Sequence, residues 1–147
     1  MKLTTRGHYS VKALLDLSLQ PRYGPASVAE ISQRQSLPAP YLEKLLIELR
    51  RAGLVRSVRG AQGGYQLARS PGQISLGQIL EAVGEWIEPF PVQQEDHANA
   101  EDWVTMAVWK RLQQQLKLVL YGISLEDLYY DARSWQAGQG TEASFMV

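Results

Sequence analysis

The chain has 147 residues, 45% apolar and 20% charged, with 15 basic side chains balanced by 15 acidic ones and no cysteine. That length predicts one domain with an appended helix. The missing cysteines exclude a disulfide framework, a thiol switch and a thiolate metal site. No run of about 18 apolar residues marks a membrane span, and the first seven residues lack the apolar core of a signal peptide, so a cytoplasmic protein with no membrane partner is expected.

Residues 5 to about 20 predict an amphipathic helix, apolar at Val11, Leu14, Leu15, Leu17 and Leu19 and polar at Arg6, Lys12 and Asp16. Pro21-Arg22-Tyr23-Gly24-Pro25 is a turn. Ser27 precedes the periodic apolar set Val28, Ala29 and Ile31 and has Glu30 three positions on, the pattern of a capping box. Ser36-Leu37-Pro38-Ala39-Pro40 ends that helix and starts another, with Pro40 suited to a first turn. Tyr41, Leu42, Leu45, Leu46 and Leu49 then recur at helical spacing, and Gly53 supplies a left-handed stop. Leu54 to Val58 alternates like a strand, residues 59–64 form a glycine-rich turn, and Tyr65-Gln66-Leu67 returns.

After the Ser70-Pro71-Gly72 loop, Ser75 caps a short helix carrying Leu76, Ile79, Leu80 and Val83, with Gln78 at the box position. Residues 88–99 are acidic and proline-interrupted, and read as an exposed loop. A long helix over about residues 100–121 carries Val104, Ala107, Val108, Leu112, Leu116, Val119 and Leu120 as an apolar stripe. That stripe either packs back on the domain or pairs with the same helix of a second subunit. Pairing is preferred, because helix-turn-helix proteins usually read two half-sites. Val104, Val108, Leu112, Leu116, Val119 and Leu120 are therefore the candidate dimerisation residues. Trp103 and Trp109 lie off the main stripe and suit either interface. Ser124-Leu125-Glu126-Asp127 opens a last short helix, and residues 134–147 are expected as a disordered tail.

The predicted fold class is mainly α with a small β-wing: a winged helix-turn-helix over residues 1–83, then an acidic loop, a long dimerisation helix and a short final helix over 84–133. Charge follows this division. Residues 1–70 hold three Lys and eight Arg against four acids, a net of +7, and residues 71–147 carry −7. Nucleic-acid binding depends on the field of one face, not on total charge. Helix-turn-helix plus a basic wing is a shape suited to duplex DNA.

The start of the third helix is expected in the major groove. There Tyr41 can meet a thymine methyl or a phosphate, and Glu43 can accept from a cytosine amino group. Lys44 and Arg51 suit phosphates. Arg59 at the wing tip suits the minor groove, whose negative potential draws an inserted Arg. Gly60, Gly63 and Gly64 allow a tight wing and close approach to phosphate. Arg6, Tyr9 and Lys12 suit backbone positioning, and Ser27 stands at the start of the second helix. For Tyr9 and Tyr41 the competing reading is core packing, and His8 reads as a surface histidine. No paired carboxylate, Ser-His-acid set or phosphate loop opening a helix is present, so no enzyme is expected: Gly60-Ala61-Gln62-Gly63-Gly64 runs into a strand, the wrong context for a nucleotide loop. A winged helix that binds protein rather than DNA is the alternative, against which Arg56, Arg59 and Arg69 together argue.

The run YLEKLLIELRRAGLVRSVRGAQGGYQLARSP, with the opening MKLTTRGHYSVKALLDL, resembles the Rrf2 family of bacterial transcription regulators. The resemblance is specific at residues 1–19 and 26–83 and looser along the long helix, where Trp109 and the Ser124-Leu125-Glu126-Asp127-Leu128 turn also fit. It implies a winged-helix homodimer joined through the long helix, binding double-stranded DNA and usually repressing genes of iron–sulfur assembly, cysteine metabolism or stress. Iron–sulfur regulators of the family hold a [2Fe–2S] cluster on three Cys and a nearby His, in the region matching residues 90–102 here. This chain has no cysteine, so no cofactor is expected by that route. His97 among Glu95, Asp96, Glu101 and Asp102 reads as solvated rather than as a metal ligand. In this respect the chain is similar to the cysteine-metabolism repressors, which carry no cluster and answer to a partner enzyme. A partner protein or a small-molecule effector both stay open as the signal. Pro38-Ala39-Pro40 departs from the small or hydroxyl residues usual before Tyr-Leu-Glu, which puts the preferred base sequence in doubt.

Overall fold

Several helix boundaries in this protein are set by local hydrogen bonds that the sequence encodes. The computed structural model describes residues 2–85 and 99–145. Ser27 Oγ accepts from the Glu30 amide at 3.1 Å, while the Glu30 carboxylate accepts from the Ser27 amide at 3.3 Å. Ser75 and Gln78 repeat the arrangement at 3.1 and 2.9 Å. These reciprocal bonds satisfy amides that a helix start leaves without partners. They open α2 (Val28–Gln35) and α4 (Leu76–Ala82).

Ahead of them α1 spans Thr5–Ser18, and between them α3 spans Ala39–Arg51. Gly53 ends α3 in the left-handed region at φ 79°. Its amide donates to Arg50 O at 2.9 Å and the Leu54 amide to Leu49 O at 3.0 Å, which closes the last turn in a Schellman motif. Leu54 enters β1 (Val55–Val58) directly, and β1 pairs antiparallel with β2 (Gly64–Leu67). Tyr65 also exchanges backbone hydrogen bonds with Ala26 at 2.7 and 2.9 Å, which docks the hairpin on the start of α2. A side chain at Gly64 (φ 152°) would run into the Ala26 backbone, so the close approach needs glycine.

The core is built from α1, α2, α3, β1 and α4. Leu14, Leu17, Ile31, Leu42, Leu45, Leu46, Leu49, Leu54 and Ile79 are fully buried, each worth about 1.5–3 kcal/mol relative to exposure. Leu125, at the start of α6 (Leu125–Phe145), lies in the same core. The Leu125 amide donates to Ile74 O and the Leu76 amide to Ile123 O, both at 2.8 Å. The C-terminal end of α5 (Ala100–Gly122) is thereby joined to the domain.

Two differences from the sequence reading have clear causes. Asp16, read as a polar position of α1, is only 2% exposed. It accepts from Arg34 Nε (2.9 Å), the terminal Arg34 nitrogen (2.7 Å) and the Gln35 amide (2.9 Å), so its charge is paired on burial. The hydrogen bond to Asp16 in turn raises the Arg34 pKa above its ordinary value. The expected tail from residue 134 is instead helical through Phe145. No proline interrupts it, and Arg133 bonds Gln136 at 3.0 Å across one turn.

Candidate DNA interface

The turn between α2 and α3 is tight because Ser36 adopts a left-handed conformation (φ 56°, ψ 47°) and the Ser32 hydroxyl donates to Leu37 O. Beyond it α3 buries Leu42, Leu45, Leu46 and Leu49 and leaves Pro40, Glu43, Lys44, Arg50 and Arg51 in solvent. These exposed positions recur at spacings of three, four and seven and share one face. Tyr41 is half-buried and meets Tyr9 of α1 edge to face, ring centroids 6.0 Å apart at 72°. Both tyrosines pack against the core. Core packing and the edge of the candidate surface thus coincide in this pair.

Eight of the eleven cations of this half fall into two groups; Lys2, Arg22 and Arg69 lie outside α3 and the wing tip, exposed and with no side-chain hydrogen bond or ion pair among the described residues. Lys12 Nζ donates to Gln35 O at 3.0 Å, at the C-terminal end of α2, where a positive charge is favoured. Arg6 donates to Val83 O at 3.2 Å. Arg34 is held by Asp16, and Arg56 donates to the Gln66 side chain across the β1–β2 pair at 2.9 and 3.1 Å. The Gln66 amide continues to Arg22 O at 3.0 Å. These four serve the architecture. The side chains of Lys44, Arg50, Arg51 and Arg59 make no hydrogen bond or ion pair among the described residues, and all four residues are exposed. Lys12, expected on phosphate, is therefore placed as a brace between α1 and α2, and Ser27 acts through its cap. Arg50 was missed by the sequence reading; its spacing of seven from Glu43 is the signal that would have found it.

The wing tip consists of Arg59 and Gly60, with Gly60 at φ 117° and open space around it. The Gly63 amide donates to Gly60 O at 3.0 Å and closes the turn. At the other edge of the surface, a cleft of about 490 Å³ lies among Lys2, Thr4, Thr5, Arg6, Tyr41 and Glu85. The Glu85 carboxylate accepts from the Gly7 amide at 2.9 Å and from the Thr4 hydroxyl, so a residue 78 positions away caps α1.

Along α5 the predicted stripe splits. Leu120 is buried with Leu80, and Leu116 packs half-buried against them. Val104, Leu112 and Val119 remain 51, 49 and 57% exposed, with Val108 beside them. At about 100° per residue, Leu116 and Leu120 lie about a third of a turn round the helix from Val104 and Val108. Leu120 is thus used within the chain, and the four valine and leucine positions form the outward face.

A helix-turn-helix carrying an unpaired cationic face beside an arginine-tipped hairpin defines a winged helix-turn-helix DNA-binding protein of the transcription-regulator class. The chain belongs to the Rrf2 family: the family model, described as an iron-dependent transcriptional regulator, matches residues 3–131. It is 65% identical over all 147 residues, and over the full length of both chains, to a Synechocystis protein carrying the name HTH-type transcriptional regulator slr0846. Its fold superposes on CymR, the global cysteine regulator of B. subtilis, with a TM-score of 0.76 at 35% identity, covering 88% of this chain and 97% of that one. T. potens IscR gives 0.74 at 42% identity, covering 92% and 91%.

The iron dependence in the family description meets a donor set that does not match a thiolate-held cluster. The sequence contains no cysteine, and among the described residues no group of three or more His, Cys, Asp or Glu side chains is placed to hold a metal ion. Iron–sulfur clusters are held mainly by Cys thiolates. His97 lies outside the described residues.

Proposed function

We propose that the chain is a homodimeric, sequence-specific repressor that binds a near-palindromic operator, with α3 in the major groove and the Arg59 wing in the minor groove. The observation that carries this reading is the division of the cations. Four are consumed by internal bonds, while Lys44, Arg50, Arg51 and Arg59 are left without protein partners on α3 and the wing tip. Unpaired cations displace counterions from phosphate, which supplies affinity. Glu43, exposed in the second turn of α3, supplies selection among bases.

Dimerisation is supported by the outward face of α5, since a helix of 23 residues leaves Val104, Val108, Leu112 and Val119 in water. Two copies joined there would present two wings and two α3 helices to successive half-sites. The signal is proposed to reach the protein without a thiolate-held cluster.

Selection of bound duplexes from a random library, with the purified protein, tests the reading. The expected result is an enriched inverted repeat with half-sites about one helical turn apart. Retention without any motif would remove sequence-specific regulation.

A further inference from the structure

A second surface, away from α3 and the α5 stripe, has the chemistry of a cation cage. We propose that the cleft between the Pro21–Tyr23 turn and the start of α6 binds a small organic ammonium ion. The cleft encloses about 300 Å³ and is lined by Tyr23, Tyr129, Tyr130 and Glu126, with Ser70 and Gly72 on its wall. Three tyrosine rings and one carboxylate are the groups that hold an alkylated ammonium, by cation–π attraction plus one countercharge.

Several independent observations support this assignment. Tyr129 and Tyr130 meet edge to face, 5.3 Å between centroids at 73°, so the two rings present different faces. One side of Tyr129 already carries a cation: Arg133 Cζ lies 5.3 Å from its ring centroid and Arg133 Nε donates to its hydroxyl at 3.3 Å, although Arg133 does not line the cleft. The Glu126 carboxylate has no ion pair among the described residues, and it lies over Gly72, where a side chain would collide with it. Asp127 and Asp131 on the same helix add negative field, against which Arg133 and Arg22 act as nearby positive charges.

Tyr23 is held at this cleft by unusual backbone. Arg22 (φ 58°) and Tyr23 (φ 61°) are consecutive left-handed non-glycine residues, a conformation disfavoured for side chains of this size. Strain of this kind persists where the surroundings over-determine it and gathers at binding sites. The Arg22 carbonyl is the acceptor of the Gln66 bond that leads to Arg56 on the wing. The cleft therefore touches the α1–α2 connection, on which Gln66 of the hairpin is anchored.

The proposal stands apart from DNA binding and is tested on the full chain without DNA. Tetramethylammonium chloride is titrated calorimetrically into the protein at low ionic strength, with sodium chloride as the reference. Saturable binding is expected, weakened about tenfold or more by Glu126→Gln and by Tyr130→Ala and retained by Tyr130→Phe. Circular dichroism confirms that each variant is folded. Equal heats from sodium, no saturation into the tens of millimolar, or unchanged affinity in both weakening variants would each overturn it.

Discussion

The winged helix-turn-helix and the α5 arm solve burial in opposite ways. In the first, α1 to α4 and the hairpin enclose their leucines almost completely, and even the one deeply buried carboxylate, Asp16, is paired. In the second, α5 buries one edge, at Leu120 and partly at Leu116, and leaves a valine and leucine face in water. The charge is opposed as well, +7 over residues 1–70 against −7 over 71–147. A region that encloses its apolar residues can hold a rigid surface toward a polyanion, whereas one that leaves apolar area in water offers that face to another protein surface, which is proposed here to be a second copy. One chain thus carries a closed core, to which α6 contributes Leu125, and a helix whose outer apolar face stays in water.

The sharpest way to break this contrast is to charge the outer face of α5. Leu112→Asp is expected to raise the dimer dissociation constant by about two orders of magnitude, since a carboxylate would be buried without a partner. Light scattering across a concentration series reads this, and the melting temperature of the domain should hardly move. A dimer unaffected by the charge would refute α5 as the interface.

A comparable effect confined to the first region is expected for Asp16→Ala, which strands Arg34 and Gln35. The loss should be about 2–3 kcal/mol in chemical unfolding, because Arg34 still reaches solvent. A cost below about 0.5 kcal/mol would show that the buried pair adds nothing.

Arg59→Ala sharpens the distinction between architecture and surface. Operator binding should weaken by about 1–3 kcal/mol with stability unchanged within about 0.5 kcal/mol. Arg56→Ala should instead loosen the hairpin. Equal stability losses in the two variants would erase the division of cations drawn above.

The smallest expected effect lies where the two regions touch. Tyr121 donates to Glu81, and its ring lies against Gly77. That bond and partial burial push the Tyr121 hydroxyl up to about 12. Because the folded value is raised, the stabilisation is intact below pH 10 and fades as pH rises through about 12. Alkaline spectrophotometric titration should show a late tyrosinate step that disappears in Tyr121→Phe. A titration curve of unchanged shape in the variant would place the late step elsewhere.

Much of the first region is legible in the residues. Ser27 with Glu30, Ser75 with Gln78, and Gly53 after Leu49 act over three to five positions, so their bonds follow from local pattern. The leucines of α3 likewise declare their face by spacing. Less was legible where a partner lies far along the chain. Glu85 caps α1 from 78 residues away, and Lys12 meets Gln35 O across 23. A cation that can reach phosphate and one that braces two helices are the same letter in the sequence.

The sequence by itself determined the helix-turn-helix, the wing, the absence of thiolate chemistry and the family, because each rests on short-range periodicity, turn chemistry or residue type. Only the tertiary structure decided which cations remain free, which edge of the α5 stripe turns inward, that Asp16 is buried, and that three tyrosines and Glu126 share one cleft. Those outcomes depend on the rotation of one helix against another, and composition and spacing do not carry that rotation.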